Sequence, residues 1–510
     1  WTLALPTAFK NTYQELTPTI PNPSSVLASS VYDDTTNEVS GFLLSKEAPA
    51  SQNTPLDPLR GVVDSKIRSL STVTFDLLGS TFTTHDDKKA ASVNYEITTG
   101  QKKSVRRLRE ELLLGLAPFS KNGVQGLPST AGKQYSNFRV QITVSERNHT
   151  NGVTSNLYSV ALSPLDSFKT VDKVKFRVED LTNTTNISDA VDDHKISCLT
   201  KKPNKETPKA EFYWVLDQSG SMRNENNIIR NFATQFEGKV KNTRLDYRLG
   251  VTNMDPQNKG VLVTPPAWHR NAQTFSNEIR DRVTDCKSTG GYGCSGGTEH
   301  GLYNAHQGLL YMLGLTPNTP TPAERIRSNA QVITIFMSDE AAQGMNSQVE
   351  PFFKNDPNLY AYAITAHNTN SNCSTGYPAP AGKYKNVALS SGGSFADLCS
   401  GNLRQTIEAI IRQAAFASGE FVLGQTPISS SLRVYLISDD GKSGTWVPRN
   451  RDDGFDYAPQ RNAVAFFGKY RPKYKKMGQP DWVAISFETF RNRCKNLGPD
   501  VDTCAAPANP

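Results

Sequence analysis

Between residues 61 and 200, short runs alternate apolar and polar positions: SVNYEITT (92–99), FRVQITVSE (138–146), LYSVALS (157–163) and KVKFRVEDL (173–181). A period of two, broken by Asn, Gly and Ser, predicts half-buried strands of an antiparallel sheet or sandwich. One stretch departs from it. SVRRLREELLLGL (104–116) carries its apolar residues at helical spacing. Upstream, residues 1–60 are rich in Pro, Ser, Thr and Asn with only short apolar pieces, which predicts an extended or loosely packed arm.

The texture changes at 211. FYWVL (212–216) is a continuous apolar run, as expected of a strand buried on both faces. Helical periodicity follows over 224–240. LDYRLGVTN (245–253) and VLVT (261–264) read as a hairpin, and helical stretches lie at 271–283 and 299–313. Then come the strand VITIFM (332–337), a short helix at 347–354, the strand LYAYAIT (359–365), SGGSFADL (391–398) and a helix over 402–418. Buried strands alternating with helices predict an α/β domain over 211–418, Rossmann-like, with a mostly parallel sheet and helices on both faces. From 420 to 510 the β texture returns in LRVYLIS, GTWVP, NAVAFFG and WVAISFETF. This C-terminal region is expected to pack with 61–200 as a β-sandwich flanking the α/β domain.

Composition narrows the class. The chain has 510 residues, enough for two or three cores, with 37% hydrophobic residues and a mean hydropathy of −0.50. It lacks the ~18 consecutive apolar residues of a membrane helix. Its start carries no leader, lipid-anchor or transit pattern, and Trp1 in place of Met reads as a processed or truncated chain. The net charge of +7 is spread out, with two denser runs, QKKSVRRLREE (101–111) and KYRPKYKK (469–476). These are solvated faces or contacts with an anionic envelope or membrane surface. Without aromatic interleaving or a zinc-finger spacing they do not read as nucleic-acid sites.

Seven cysteines and no CxxC argue against a zinc ribbon. Cys286 with Cys294, Cys373 with Cys399, and Cys494 with Cys504 are candidate disulfides of an oxidising compartment, leaving Cys198 over. Sequons at Asn148, Asn183, Asn186 and Asn372 point to surface.

The chemistry concentrates after FYWVL, where DQSGS (217–221) precedes a helix. In an open parallel sheet, ligands bind beyond the carboxyl ends of the strands. Asp217 offers charge there, while Ser219 and Ser221 offer neutral hydroxyls at i+2 and i+4. Such hard oxygens suit Mg²⁺, with Mn²⁺ and Ca²⁺ as alternatives. Asp and Ser are also ordinary turn and cap residues, so the pentad needs company. GGTEHGL (296–302) places Thr298 before a helix, and VITIFMSDE (332–340) places Asp339 just after a buried strand. Gln218, Trp268, His269, Glu299 and Glu340 are candidates for the rim around it.

Together, DQSGS, GGT with Thr298, and the strand ending at Asp339 resemble the metal-ion-dependent adhesion site of a von Willebrand factor type A domain. SSGGSFADLC before the last helix is similar to a further segment of that family. The resemblance implies that Ser219, Ser221 and, in one state, Thr298 touch the metal directly, with Asp217 and Asp339 acting largely through water. It further implies an open position for the carboxylate of a protein or glycan partner, with affinity coupled to movement of the 402–418 helix. Glu299 and Glu340 depart from the family pattern and leave Mg²⁺ against Ca²⁺ open. The DGFDY…NAVAFFG…W region looks like tails of bacterial surface proteins, outer-membrane adhesins of gliding or predatory bacteria among them.

The expected function is therefore a cell-surface or secreted adhesin. The alternative is a scaffold such as a pilus-tip or envelope component whose metal locks subunits together. An enzyme is not expected. GCSGG (293–297) spells a nucleophile elbow around Ser295, but loop residues rather than a strand precede it. His300 and His306 are six apart and share no helix face, and DDGFD (452–456) reads as a hairpin turn.

Overall fold

The computed structural model describes residues 2–3, 14–16, 26–48, 54–79, 82–83, 89–117, 132–148, 154–182, 187–188, 192–201, 209–222, 225–228, 230, 245–256, 258–260, 262, 268–281, 299–344, 347–366, 382–398, 403–417, 420–438, 443–459, 462–471 and 482–492. The strand Lys209–Leu216 lies between Asp246–Asn253 and Ala330–Ser338, parallel to both. Leu359–Thr365 and then Phe395–Asp397 extend the parallel set.

Phe212, Trp214 and Leu216 point to one face of this sheet, against Phe275 of the helix Ala272–Ile279 and Ile407 and Ile411 of Leu403–Ala417. Tyr213 and Val215 point to the other, against Leu302 and Leu309 of Gly301–Met312, Phe353 of Val349–Asn355 and Val387 of Gly382–Ser390. Burial on both faces is why the strand reads as one unbroken apolar run.

The parallel set does not stop at its last strand. Phe395 pairs antiparallel with Leu78 of Thr72–Leu78, and the sheet runs on through Lys89–Lys103, Tyr135–Asn148, Thr154–Pro164, Val39–Glu47 and Val26–Asp34, thirteen strands in all. The N-terminal β region thus shares a sheet with the α/β region instead of docking beside it. The seam is held by side chains as well. The Asp397 N–H donates to Asp76 Oδ1 (3.2 Å), and Arg68 reaches Asp64 (3.0 Å), Asp76 (2.8 Å) and Asp397 (3.7 Å).

Two expectations fail in this half. Residues 26–47, expected in a loose arm, form a buried strand pair whose Val31, Phe42, Leu43 and Leu44 are wholly enclosed. Ser29, Ser30, Ser40 and Ser45 are buried with them, and these small polar residues broke the apolar signal. KVKFRVEDL, expected as a strand, is the helix Asp172–Thr182. Its apolar 174, 176 and 178 mimic a period of two, but Val174, Val178 and Leu181 form the buried helical stripe on Leu43 and Leu157. The helix at 104–116 forms over Val105–Leu116. Ser104 caps it by accepting the Arg107 N–H (3.1 Å).

Toward the C-terminus, Asp192–Lys201 pairs with Trp482–Asn492, which pairs in turn with Arg433–Ile437 and that with Gly444–Val447. A three-stranded sheet of Glu420–Val422, Ala463–Phe466 and Phe455–Ala458 closes over the same core of Phe421, Val434, Val447, Phe466 and Ile485. Ion pairs from Arg449 to Asp180 (2.8 Å) and from Arg451 to Glu179 (2.7 Å) fasten this unit to the helix Asp172–Thr182.

Candidate metal centre

Strand order reverses about Lys209–Leu216, since the chain leads from it to Asp246–Asn253 on one side and later to Ala330–Ser338 on the other. The crevice at such a switch point, beyond the carboxyl ends, is where open α/β sheets hold ligands. Asp217 and Asp339 are the residues that emerge there. The Asp217 N–H still donates to Met337 O (3.0 Å), so the ladder carries its carboxylate to the sheet edge before the chain turns into Gly220–Met222.

Asp217 is completely buried. Its Oδ1 accepts the Ser219 N–H (2.7 Å), its Oδ2 accepts the Ser338 hydroxyl (2.7 Å), and its carbonyl accepts Asn226 Nδ2 (2.7 Å). The Ser219 and Ser221 hydroxyls lie 2.9 Å apart. Gly220 meets no atom where a Cβ would stand and has no positive φ, so neither space nor conformation requires glycine.

Asp339 and Glu299 are completely buried as well, and all four of their carboxylate oxygens lack a hydrogen-bond donor. Glu299 is carried by the segment entering the helix Gly301–Met312. Its carbonyl accepts Gln343 N–H (2.8 Å), and the next N–H, of His300, binds Met254 O (2.9 Å).

The electrostatics follow from crowding without a counter-charge among the described residues. Burial, then Asp217, Glu340 and Asp339, pushes Glu299 up to about 9. Burial and then Asp217 push Asp339 up to about 6, opposed by the nearby Ser221 hydroxyl. Burial raises Asp217 against its bonds from Ser219 and Ser338. Burial and Asp339 raise the half-buried Glu340. Buried carboxylates are ordinarily paired, protonated or bound to cations. Among the described residues no three His, Cys, Asp or Glu side chains are grouped so as to hold a metal ion by themselves. A cation here would therefore draw on the serine hydroxyls and water as well.

Of the expected site residues, Asp217, Ser219, Ser221, Asp339, Glu299 and Glu340 come together at this edge. Thr298 lies outside the described residues, as do Ser295, Cys286, Cys294, Cys373, Cys399, Cys494 and Cys504. Cys198 is an exposed free thiol.

Three rim expectations are corrected. Gln218 is buried, its Oε1 accepting the Met254 N–H (3.0 Å). Trp268 and His269 stand toward the amino end of the sheet. His269 exchanges both backbone hydrogen bonds with Leu249 (2.7 Å), while the expected hairpin partner 261–264 lies, but for Leu262, outside the described residues. Trp268 is buried, its Nε1 bound to Glu324 O (2.8 Å) and its ring 5.3 Å from the Arg248 guanidinium. Sequence reading missed Ser338 and Asn226. The pairing of Leu216 with Met337 sets Ser338 beside Asp217, a signal available only once the strands are aligned.

No family model matches the chain, and no curated protein matches it. Solved structures give low-level likenesses. A von Willebrand factor type A protein from Catenulispora acidiphila superposes with a TM-score of 0.28 at 10% identity, over 59% of this chain and 67% of that one. The pilus adhesin SpaC from Lactobacillus rhamnosus GG, in an open conformation, gives 0.28 at 13% identity over 60% of this chain and 42% of its own. Proximal thread matrix protein 1 from the mussel byssus gives 0.29 at 12% identity over 42% and 50%. The chain therefore spans about half of these last two proteins. The fold is established by the strand order and register described above.

Proposed function

We propose that this protein is a surface or secreted adhesin whose carboxyl-edge centre holds a divalent cation and, through it, an acidic group of a protein or glycan partner. One observation carries the reading: the carboxylate oxygens of Asp339 and Glu299 beside Asp217, buried at the switch point with no hydrogen-bond donor or cationic side chain among the described residues bonded to them. A hard divalent ion answers that demand, and Mg²⁺, Mn²⁺ and Ca²⁺ all favour carboxylate and hydroxyl oxygens.

Each residue then has a task. Ser338 and the Ser219 N–H fix both oxygens of Asp217, so its carboxylate is oriented before any ion arrives. Ser219 and Ser221 present neutral oxygens that add donors without adding charge. Asp339, in place at the end of its strand, would supply further charge. Bound here, the ion contributes positive charge and a coordination position open to a partner's oxygen. Glu299 and Glu340 reduce its surplus charge and so weaken capture of a carboxylate.

The test is capture of the full chain on matrix proteins, glycans and bacterial envelopes, with divalent cations or with EDTA. Capture lost in EDTA, and lost in Asp217→Ala and Thr298→Ala at unchanged melting temperature, is expected. Retained capture and cation binding in both variants overturn the reading. Self-association that responds to EDTA without any ligand capture replaces it with the scaffold role.

A further inference from the structure

Toward the amino end of the parallel sheet lies an open cleft of about 440 Å³, lined by Arg248, Trp268, His269, Arg270, Thr274 and Ala323 among others. Its floor is enclosed: Trp268 is buried and His269 is only 5% exposed. Trp268 is held by its bond to Glu324 O and by the Arg248 guanidinium at 5.3 Å. His269 is held through its backbone alone, by the exchange with Leu249. Its imidazole has no hydrogen-bond partner among the described residues, yet neither ring nitrogen is sealed from solvent, so the ring opens to the cleft it lines. Burial pushes the imidazole down, which keeps it neutral at pH 7 with one donor and one acceptor to offer.

The rim adds positive charge. Three guanidiniums, of Arg248, Arg270 and Arg327, share the two carboxylates of Glu211 and Asp246. Arg270 is exposed and gives Nη1 to Asp246 (2.5 Å), while its Nε and Nη2 are unbonded among the described residues. The helix Ala272–Ile279 starts at the same rim, capped by Asn271, which accepts the Thr274 N–H (3.0 Å). A helix start adds partial positive charge of its own.

We propose that this cleft binds one acidic sugar residue, its carboxylate on Arg270 and the helix start and a hydroxyl on His269. The volume lies at the small end of ligand sites and suits about one sugar ring. The edge of the Trp268 indole and the Ala323 methyl give that ring's C–H groups an apolar surface. A neutral imidazole matches a hydroxyl, whereas a free guanidinium matches a carboxylate.

Calorimetric titration of the full chain with sodium glucuronate, glucose and sodium phosphate in turn tests this. EDTA is present throughout, so that no cation at the carboxyl edge takes part. Glucuronate is expected to bind in the millimolar range, about tenfold or more tighter than glucose or phosphate. Arg270→Ala is expected to lose about tenfold or more of that affinity. His269→Phe, which keeps a ring without its nitrogens, should lose about threefold or more. Arg270 lies at the surface, so its variant decides the matter even should His269→Phe fail to fold. Absence of glucuronate binding, glucose or phosphate bound as tightly, or glucuronate affinity unmoved in Arg270→Ala overturns the inference. Each of these leaves the cation-dependent reading of the carboxyl edge standing.

Discussion

The strand Lys209–Leu216 carries a buried acid toward each end, and the two are treated in opposite ways. At the amino end Glu211, with no exposed surface, is gripped by Arg248 (2.6 Å) and Arg327 (2.8 Å), and Arg327 goes on to Asp246 (2.6 Å). At the carboxyl end Asp217, equally buried, meets two more enclosed carboxylates and, among the described residues, only neutral donors. The first end is complete as it stands, and its charge is part of the fold. The second has no such counter-charge among the described residues. Burial of charge therefore does not mark a site by itself; burial without a counter-charge does.

The largest effect should come from neutralising each acid in EDTA. Glu211→Gln strands two guanidiniums and should cost about 3–5 kcal/mol of unfolding free energy, whereas Asp217→Asn relieves repulsion and should cost less than about 1 kcal/mol. Equal costs in urea titrations would erase the contrast.

Next in size, a saturating divalent cation should stabilise the native chain by about 2.7 kcal/mol at a hundredfold excess over Kd, and leave Asp217→Asn unmoved. A native melting temperature indifferent to cations would make the carboxyl end as closed as the amino end.

The sheet seam is an intermediate case, with one guanidinium, Arg68, shared among Asp64, Asp76 and Asp397. Burial, then Asp397, pushes Asp76 up to about 7. Its proton thus favours the folded state, so this contribution is full below about pH 4 and is lost as pH rises through 7. Asp76→Asn should gain about 1–2 kcal/mol on the native chain between pH 5 and 8, read from denaturation at each pH. No difference in slope would mean Arg68 already neutralises the seam.

The smallest effect belongs to the exposed margin of the amino end. Arg270, 63% exposed, pairs with Asp246 (2.5 Å), and Arg270→Ala should cost less than about 0.5 kcal/mol in the same assay. A cost near that of Glu211→Gln would extend the closed network to the surface.

The sequence showed those features whose signal is local. FYWVL and VITIFM announce strands buried on both faces, and the polar residues directly after them mark the sheet edge, so Asp217, Ser219, Ser221 and Asp339 could be placed at that edge. Glu299 was visible only as a departure beside Thr298. Its enclosure depends on the segments at Met254 and Gln343, distant in the chain. Trp268 was misplaced because an aromatic beside prolines reads equally as rim or as packing, and Arg248 decides between them. The hairpin of 26–47 was hidden because serines occupy enclosed positions on its strands. The joining of the two β systems had no local signal at all, since its strand pairing is one residue pair, Phe395 with Leu78, and the side chains that support it are distant in the chain.

That seam has a consequence for how the chain is made. Asp397 and Asp76, which meet across it, are 321 residues apart. At roughly 5–20 residues per second, the strand Thr72–Leu78 waits on the order of half a minute after its own synthesis for a partner on that side. An unpaired strand edge is a template for pairing between nascent chains. Thr72–Leu78 meets the wait with two deterrents, a register break between Val73 and Phe75 and an aspartate near its end. The carboxylate that takes the Asp397 N–H in the finished sheet is, before then, a charge on that edge and is expected to discourage pairing with other chains.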